Sequence, residues 1–359
     1  MLRPKIKNVH CPIVLPGNRI TVGLKQYGVA AEIEDETGAI ERILTLMDGT
    51  RDRAGIRAGV AETHPHVDPD SVDEAVGELV AAGFAEDAAA SLPPVITERE
   101  AARYTAPRHY YAWIDGTPRE SPYEIQARLK NSSVTLLGLG GTGSAVAQGL
   151  VASGVGALHC VDFDVVEESN LCRQLLYTEQ DVGGPKVKHA LDRLRAMNSL
   201  VEVTGEERRA GSAADVAELM AGRDAFVLCA DTPNPDIMRW TNAAALATGT
   251  PWFMALYTGP MAVVAGYVPG ETGCWACGER DLNAQEHVRD GRKLIAERPQ
   301  AVVPASANVT GQLCALEVVY HLGGLPTQAR GRMLHWNLGR WDHQYFVDVP
   351  RYPDCPACA

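Results

Sequence analysis

A glycine-rich turn between a predicted strand and a predicted helix constrains the fold of this chain more than any other feature. The strand covers residues 134–137, and a helix of small residues is predicted to start near Ser144. The glycines of the turn are Gly138, Gly140, Gly141 and Gly143. A turn of this kind lets the backbone approach a phosphate at a helix N-terminus. Because such turns also need glycine for purely steric reasons, the turn alone is a weak indication of a nucleotide site.

An acidic residue at the end of the next strand strengthens the nucleotide interpretation. Asp162 follows the predicted strand 157–161, about twenty residues after the turn, where an acid can accept hydrogen bonds from ribose hydroxyls. Strand, helix and strand in this order predict an α/β fold with a Rossmann-like domain.

Two cations after Asp162 distinguish this stretch from a dehydrogenase fingerprint. Arg173 and Lys186 follow the acid in the next connection. A nicotinamide cofactor has no use for this pair, whereas Arg173 can bind phosphate oxygens with its planar fork and Lys186 can supply a point charge. A single Arg or Lys is usually a solvated surface charge. The order of the acid and both cations favours an ATP site over that alternative.

Three motifs in this stretch carry a resemblance to a known family. A GxGGxG turn, the pattern DxDxVxxSNLxRQ and the pattern GxPK occur in order at residues 138–143, 162–174 and 183–186. At these residues the chain resembles the ThiF/MoeB/HesA adenylating enzymes, relatives of ubiquitin-activating enzymes, over roughly residues 125–359. The resemblance implies that a carboxylate attacks the α-phosphate of ATP, pyrophosphate leaves and an acyl adenylate remains. It also implies nucleotide-binding roles for further motif residues, namely Asp164, Asn170 and Gln174.

Asp231 is the predicted magnesium ligand. It follows the predicted strand 225–229, at a position similar to that of the family's metal-binding acid. Magnesium is usually bound through one or two carboxylates plus substrate phosphates, so one well-placed acid is sufficient. An ordinary Asp-Thr-Pro turn is the alternative, and the position after a buried strand favours the ligand.

Two CxxC pairs predict a structural zinc site. The cysteines are Cys274, Cys277, Cys355 and Cys358. A single CxxC pair is also compatible with redox activity, but two pairs supply the four thiolates of a closed tetrahedral zinc site. The other five cysteines, predicted to be buried free thiols in apolar or strand-like surroundings, are Cys11, Cys160, Cys172, Cys229 and Cys314.

Composition indicates a cytoplasmic enzyme rather than a nucleic-acid-binding or membrane protein. The 33 basic and 45 acidic residues give a net charge of −12, which argues against nucleic acid as the main partner. No apolar run approaches the length of a membrane span, and the N-terminus lacks a signal-peptide core. Unpaired and zinc-type cysteines indicate a reducing compartment.

Residues 1–90 are predicted to form a small winged-helix α+β domain. A hairpin is expected over residues 14–23 with its turn at Pro16-Gly17-Asn18, and a further strand over 29–33. Helices are expected over residues 38–47, 52–60 and 69–82, the last capped by Asp70 or Ser71.

The segments LMDGTR and EAVGELVAAGF in this domain resemble the PqqD-like domains that recognise leader peptides. The resemblance implies a precursor peptide as partner, and addition of the peptide to a sheet edge is the expected binding mode. DNA binding is disfavoured because residues 61–90 are acidic and provide no basic recognition helix. A role only in dimerisation or stability is the remaining alternative.

Residues 91–130 are predicted to be a linker and arm, irregular because prolines are spread through them, apart from a helix over residues 122–130. In the family, an arginine before the glycine turn reaches the ATP of the partner subunit. Arg108 is the candidate for that role, with Arg103 as the alternative. The resemblance therefore implies a homodimer.

The charged segment 279–300 is the predicted substrate region. In sulfur-transfer and ubiquitin-activating members of the family, this region often carries a cysteine that receives the acyl group, but here it has none. Cys314 lies beyond it, in a predicted helix over 312–320, and is interpreted as structural. The layout is similar to that of microcin C-type peptide-adenylating enzymes, which implies direct handover of the acyl group. Residues that could meet the carboxylate, or simply be solvated, are His287, Arg289, Arg292 and Lys293.

The sequence thus predicts a peptide-recognition domain (1–90), a linker (91–130) and an adenylation domain with a mixed sheet and a four-cysteine zinc site (131–359). The leading hypothesis is ATP- and Mg²⁺-dependent adenylation of a carboxylate, expected to be the C-terminus, of a ribosomally synthesised precursor peptide. The alternatives are a leader-peptide-binding partner of a YcaO-type cyclodehydratase, and an enzyme that adenylates a sulfur-carrier protein ending in Gly-Gly.

Overall fold

The computed structural model describes residues 2–23, 30–285 and 301–359, with the backbone alone for residues 281–285. The chain divides into two units, Met1–Arg128 and Leu129–Ala359. Each unit has a hydrophobic core of its own.

The described residues of the first unit form two small antiparallel sheets and five helices. Its strands are β1 (Pro4–Ile6), β2 (Ile13–Leu15), β3 (Arg19–Val22), β4 (Ala31–Glu34) and β5 (Ala85–Asp87). Its helices are α1 (Ala39–Leu46), α2 (Arg53–Ala61), α3 (Pro69–Ala81), α4 (Glu98–Arg103) and α5 (Thr105–Ile114). Strands β2, β3 and β4 form one sheet in that order, and β1 pairs with β5.

The predicted elements of residues 14–82 are present. The β2–β3 hairpin turns at Gly17 and Asn18, which both have positive φ angles (81° and 54°), a conformation that glycine and asparagine tolerate well. Helices α1, α2 and α3 lie within one or two residues of the predicted spans. The predicted cap of α3 is wrong, because Asp68 precedes Pro69 in extended conformation and its side chain accepts the Asp70 N–H.

The prediction of an irregular segment is wrong for residues 98–114, which form α4 and α5, whereas the helix predicted over residues 122–130 is present. Helix α4 begins with a capping box between Thr97 and Glu100, which satisfies N–H groups at the helix start. Pro107 lies in the first turn of α5, where a missing N–H is tolerated. A further helix, α6 (Glu124–Lys130), crosses the division between the units.

The second unit is built on one eight-stranded mixed sheet, which confirms the predicted fold class. Its strands are β6 (Ser133–Leu137), β7 (Ala157–Asp162), β8 (Glu202–Glu207), β9 (Ala225–Leu228), β10 (Trp252–Thr258), β11 (Met261–Tyr267), β12 (Arg332–Asn337) and β13 (Gln344–Asp348). The order is β13-β12-β11-β10-β9-β6-β7-β8, with β8, β7, β6, β9 and β10 parallel and the rest antiparallel. Because β6 lies between β7 and β9, the chain order reverses there. Ligands of open α/β sheets bind at such a switch point.

Six helices accompany this sheet. They are α7 (Gly141–Ser153), α8 (Lys186–Met197), α9 (Ala213–Met220), α10 (Asp236–Thr248), α11 (Trp275–Gln285) and α12 (Pro304–Gly323). Helix α12 is longer than the predicted 312–320 because its N-terminal part packs on α7 through small residues. A Cβ atom on Gly311 would lie 2.7 Å from the Ala145 Cβ, and one on Gly149 would lie 2.7 Å from the Ala315 Cβ. Within the described residues, no helix is long and apolar enough to cross a membrane.

Candidate nucleotide site and cysteine cluster

The glycine turn lies at the switch point. At three of its four glycine positions, the surrounding atoms leave no room for a side chain. Gly138 has a φ of +99°, and a Cβ there would lie 2.6 Å from the Ala230 N. A Cβ on Gly141 would lie 2.9 Å from the Ala307 Cβ, and one on Gly143 would collide with the Gly138 carbonyl. Helix α7 starts at Gly141, three residues earlier than predicted, because the Gly140 carbonyl already accepts the Ser144 N–H at 2.8 Å.

Gly140 is different, because the surrounding protein leaves room for a side chain. The nearest atom to a Cβ on Gly140 would be the Gln174 Nε2 at 3.9 Å, and its φ of −70° is accessible to any residue. The backbone N–H groups at the start of a helix attract anions. The open space at Gly140 is therefore where a phosphate could approach the N-terminus of α7.

Asp162 joins the two loops that follow β6 and β7. It is buried, and its Oδ2 accepts the Leu139 N–H at 2.6 Å while its Oδ1 accepts the Asp164 N–H at 2.8 Å. The carboxylate keeps unused lone pairs that a ribose hydroxyl could donate to. The predicted ribose acid is thus fixed against the predicted phosphate turn.

Lys186 is placed next to the same loops by the start of α8. Its side chain is 7% exposed, and its Nζ lies 3.1 Å from the Asp164 Oδ2. Its backbone N–H also donates to the Asp164 carbonyl at 2.9 Å. A buried ammonium with a half-exposed carboxylate partner can exchange that partner for a phosphate, which carries more negative charge.

The loop before Lys186 is held by Asp181. The Asp181 carboxylate is paired with Arg193 at 2.6 Å and with the ring of His189 at 3.0 Å, and it accepts the Thr178 N–H at 2.7 Å. Burial opposes ionisation of Asp181, but the hydrogen bonds from Arg193 and Thr178 outweigh it and lower its pKa. None of the motifs singled out Asp181, because its charged partners come from the following helix.

Arg173, Asn170 and Gln174 lie in the loop between β7 and α8. The Arg173 guanidinium donates to the Ser169 carbonyl at 2.8 Å, and the Arg173 carbonyl lies 3.6 Å from the Cβ position of Gly141. Asn170 is buried and accepts the Glu167 N–H at 3.2 Å. Gln174 is 3% exposed, and its Oε1 has no hydrogen-bond partner within the described part of the chain.

Asp231 and Tyr257 stand at the carboxyl end of neighbouring parallel strands. Asp231 follows β9 and is exposed, so it is accessible to a cation. Tyr257 lies on β10, and the charges of Arg173 and Asp231 both act on its phenol. Burial raises the pKa of Tyr257, and Arg173 opposes this effect. Sequence reasoning missed Tyr257 because it belongs to none of the motifs. Only the strand register places it at the carboxyl end of β10, next to the end of β9.

Two of the other predicted site residues, Arg108 and Arg103, belong to the first unit. Arg108, in the first unit, forms an ion pair with Glu86 at 3.4 Å, and its guanidinium lies 5.5 Å from the centre of the Tyr123 ring. Arg103 ends α4. The role of either arginine across a dimer stays a prediction. The four candidate substrate residues in segment 286–300 lie outside the described residues.

The four cysteines of the CxxC pairs are brought together. Their Sγ atoms lie within 4.8 Å of one another, and the contacts Cys274–Cys277, Cys274–Cys355 and Cys277–Cys358 measure 3.9, 3.8 and 3.6 Å. A tetrahedral zinc site with Zn–S bonds of about 2.3 Å requires S···S distances of roughly 3.8 Å. The cluster therefore fits a structural zinc ion, which would tie the C-terminal turn to the start of α11.

The remaining cysteines differ in part from the prediction. Cys160 and Cys314 are buried, but Cys11 and Cys172 are exposed, because both lie in loops. Burial raises the pKa of Cys160 and of Cys229 to about 12, so these two thiols are not ionised near neutral pH.

Comparison with known families and sequences agrees with this geometry. Residues 117–357 match the ThiF family. The chain is 36% identical over 247 residues to a Thermus thermophilus protein named sulfur carrier protein adenylyltransferase, a match that spans 67% of this chain and 87% of that protein. It is 30% identical over 238 residues to the molybdopterin-synthase adenylyltransferase of Escherichia coli K12, spanning 66% of this chain and 90% of that protein.

Solved structures resemble the whole chain rather than the second unit alone. E. coli MccB superimposes with a TM-score of 0.80 at 22% identity, covering 99% of this chain and 96% of that one. The protein PaaA superimposes with a TM-score of 0.72 at 24% identity, covering 96% of this chain and all of that one. At these identities the similarity establishes the fold.

Substitutions at two glycines should separate folding from nucleotide binding. We expect Gly140→Ala to leave the thermal unfolding midpoint unchanged and to weaken ATP binding at least tenfold, because its Cβ occupies only the open space. We expect Gly138→Ala to destabilise the fold by more than about 1–2 kcal/mol, since φ is positive and the Cβ collides with the backbone. Thermal unfolding and calorimetric ATP titration test both, and wild-type ATP affinity in Gly140→Ala would contradict this assignment.

The cysteine cluster predicts one zinc ion per chain. We expect Cys358→Ser to lower the zinc content measured by mass spectrometry, and to lower Tm by roughly 5–15 °C, the shift that a loss of several kcal/mol produces in a unit of this size. Cys11→Ser, which removes an exposed thiol outside the cluster, is the matched control. Equal zinc content and Tm in the two variants would argue against the site.

Proposed function

Because the chain belongs to the ThiF family, whose curated relatives are adenylyltransferases, we propose that it uses ATP and Mg²⁺ to adenylate the C-terminal carboxylate of a ribosomally synthesised peptide. The observation that carries this proposal is the convergence of the glycine turn, Asp162, Lys186 and Arg173 at one edge of the sheet. It provides a ribose acid, a helix N-terminus and two cations for a triphosphate.

The chemistry needs little from the protein beyond position and charge. A carboxylate oxygen attacks the α-phosphorus of ATP, the bond from that phosphorus to the bridging oxygen breaks, and pyrophosphate leaves with the electron pair. No general base is needed, since the carboxylate is already ionised. Arg173 and Lys186 would neutralise charge on the phosphates, and Asp231 would hold Mg²⁺, which would supply further positive charge for the same purpose.

The likeness along the whole chain supports a peptide as the substrate. The solved structures of E. coli MccB include one with ATP, one with AMPCPP and MccA, and one of MccB as the microcin C7 biosynthetic enzyme with N-formylated MccA. The small sheet of the first unit, with β2 and β4 at its edges, offers strand addition for a leader peptide. We further propose a homodimer in which Arg108, or alternatively Arg103, reaches the ATP of the partner.

A sulfur-carrier protein is the second candidate substrate. The name of the Thermus thermophilus relative favours it, but that match spans 67% of this chain, whereas the resemblance to MccB spans 99% of it. A leader-binding partner without enzymatic activity is less favoured, because the complete set of nucleotide motifs has no use in such a protein.

Lys186→Ala should strongly slow catalysis without weakening peptide binding. We expect the rate of ATP–pyrophosphate exchange to fall by a factor of about 10²–10³, because charge on the phosphates loses a buried cation, while calorimetric affinity for the precursor peptide stays unchanged. Lys188→Ala is the matched control, since Lys188 lies on the same helix but is exposed and paired with Asp192. Joint loss of exchange and peptide binding in Lys186→Ala would contradict separate sites.

Varying the carboxylate substrate in the same exchange assay separates the candidate functions. Exchange with the precursor peptide encoded beside this protein, abolished by amidation of the peptide C-terminus, supports the proposal. Exchange that survives amidation would indicate that the activated carboxylate belongs to a side chain. Exchange only with a protein ending in Gly-Gly supports the sulfur-carrier alternative. If no carboxylate supports exchange, adenylation is refuted.

A further inference from the structure

Leu139, inside the glycine turn, is held by buried side chains at both polar groups of its backbone. Its N–H donates to the Asp162 Oδ2 at 2.6 Å. Its carbonyl accepts two hydroxyl protons, one from the Tyr177 phenol at 3.0 Å and one from Ser144 at 2.9 Å. Both hydroxyl-bearing residues are buried. The two lone pairs of the Leu139 carbonyl oxygen are therefore both used.

The Tyr177 phenol remains a donor near neutral pH. Burial raises the pKa of Tyr177, and the negative charge of Asp162 raises it further. Tyr177 comes from the loop that follows Arg173, and its backbone N–H donates to the Gln174 carbonyl at 3.2 Å. The hydrogen bond from its hydroxyl to Leu139 therefore ties the Arg173 loop to the glycine turn.

The orientation of the Leu139 carbonyl decides where the Gly140 N–H points. The two groups belong to one peptide unit, which is trans and planar, so they point in opposite directions. Because the carbonyl faces the two buried hydroxyls, the N–H faces away from them. Within the described part of the chain, the Gly140 N–H has no hydrogen-bond partner. A donor at the start of α7 without a protein partner is available to an anion.

The glycine at position 140 makes a support for this peptide unit necessary. Reversing the unit changes ψ of Leu139 and φ of Gly140. Because glycine has no Cβ, its φ is not confined to negative values, and steric contacts alone do not fix the unit in one orientation. The two hydroxyls fix it, since a reversed carbonyl would leave two buried donors without their acceptor.

We propose that Tyr177 is a positioning residue of the nucleotide site. Its hydroxyl, together with that of Ser144, holds the peptide unit between Leu139 and Gly140 so that the Gly140 N–H donates to a phosphate oxygen of ATP. Tyr177 acts through the backbone and does not need to touch the nucleotide. This inference rests on the proposed function only for the presence of ATP at the glycine turn.

Removing the Tyr177 hydroxyl alone tests the inference. We expect Tyr177→Phe in the full-length chain to raise the Kd for ATP with Mg²⁺ about fivefold, because the peptide unit loses one of its two supports and its binding-competent orientation is less populated. The Kd for adenosine should stay unchanged, since adenosine has no phosphate and the Leu139 N–H that holds Asp162 belongs to the preceding peptide unit. Calorimetric titration measures both affinities.

Thr135→Val is the matched control. Thr135 is buried on β6, and its hydroxyl donates to the Leu219 carbonyl, outside the glycine turn, at 2.9 Å. We expect both variants to lower Tm by about 2–4 °C, as loss of one buried hydrogen bond does, but the control to keep the wild-type Kd for ATP. Ser144→Ala removes the other support of the Leu139 carbonyl and should reproduce the selective loss of ATP affinity.

An ATP affinity of Tyr177→Phe within twofold of wild type overturns the inference, as does wild-type affinity in Ser144→Ala if Tyr177→Phe does not fold. Equal weakening of ATP and adenosine binding, or an equal loss of ATP affinity in Thr135→Val, also overturns it, because the hydroxyl would then act only on the fold. Absence of ATP binding by the wild-type chain would refute the nucleotide site and this inference with it. ATP binding without pyrophosphate exchange would count against adenylation alone.

Discussion

The buried carboxylate of Asp162 holds the nucleotide site together, because it binds the loops after two neighbouring strands at once. One oxygen accepts the Leu139 N–H from the glycine turn, and the other accepts the Asp164 N–H from the following loop. Asp164 in turn pairs with Lys186 through both backbone and side chain. The glycine turn, Asp162 and the buried Lys186 cation are therefore fixed relative to one another by a short chain of hydrogen bonds.

The close packing of α7 and α12 places the rest of the site around that centre. Glycine and alanine at their contact let the two helices approach closely, which brings Ala307 against Gly141 and Asn308 against the Arg173 loop. One hydrophobic cluster runs from β6 and β7 to the antiparallel strands β11 and β12, and it includes cysteines of the cluster at the C-terminal turn. The site depends on this packing because Arg173 lies in a loop with little regular structure of its own.

Local sequence predicted the elements best where one residue type has a single physical use. Turn glycines, an acid after an apolar strand and paired CxxC motifs all led to the observed placements. The predictions that were wrong concern residues with several uses. Prolines suggest an irregular segment before the helix predicted over residues 122–130, but Pro107 lies in the first turn of a helix, where proline is tolerated. The cap of α3 is Asp68 rather than Asp70 or Ser71, since several acids and a serine adjoin the same helix start.

The sequence by itself determined the family, the α/β class, the glycine turn and the four cysteines, because in each case spacing along the chain is set by the chemistry of one ligand. It also predicted Asp162 as the ribose acid. Tertiary structure alone decided that Gly140 faces open space while Gly138, Gly141 and Gly143 are packed, and that Asp181 anchors the loop before Lys186. These relations join residues from different strands and helices. Their distances follow from strand register and helix packing, which no local pattern of residues records.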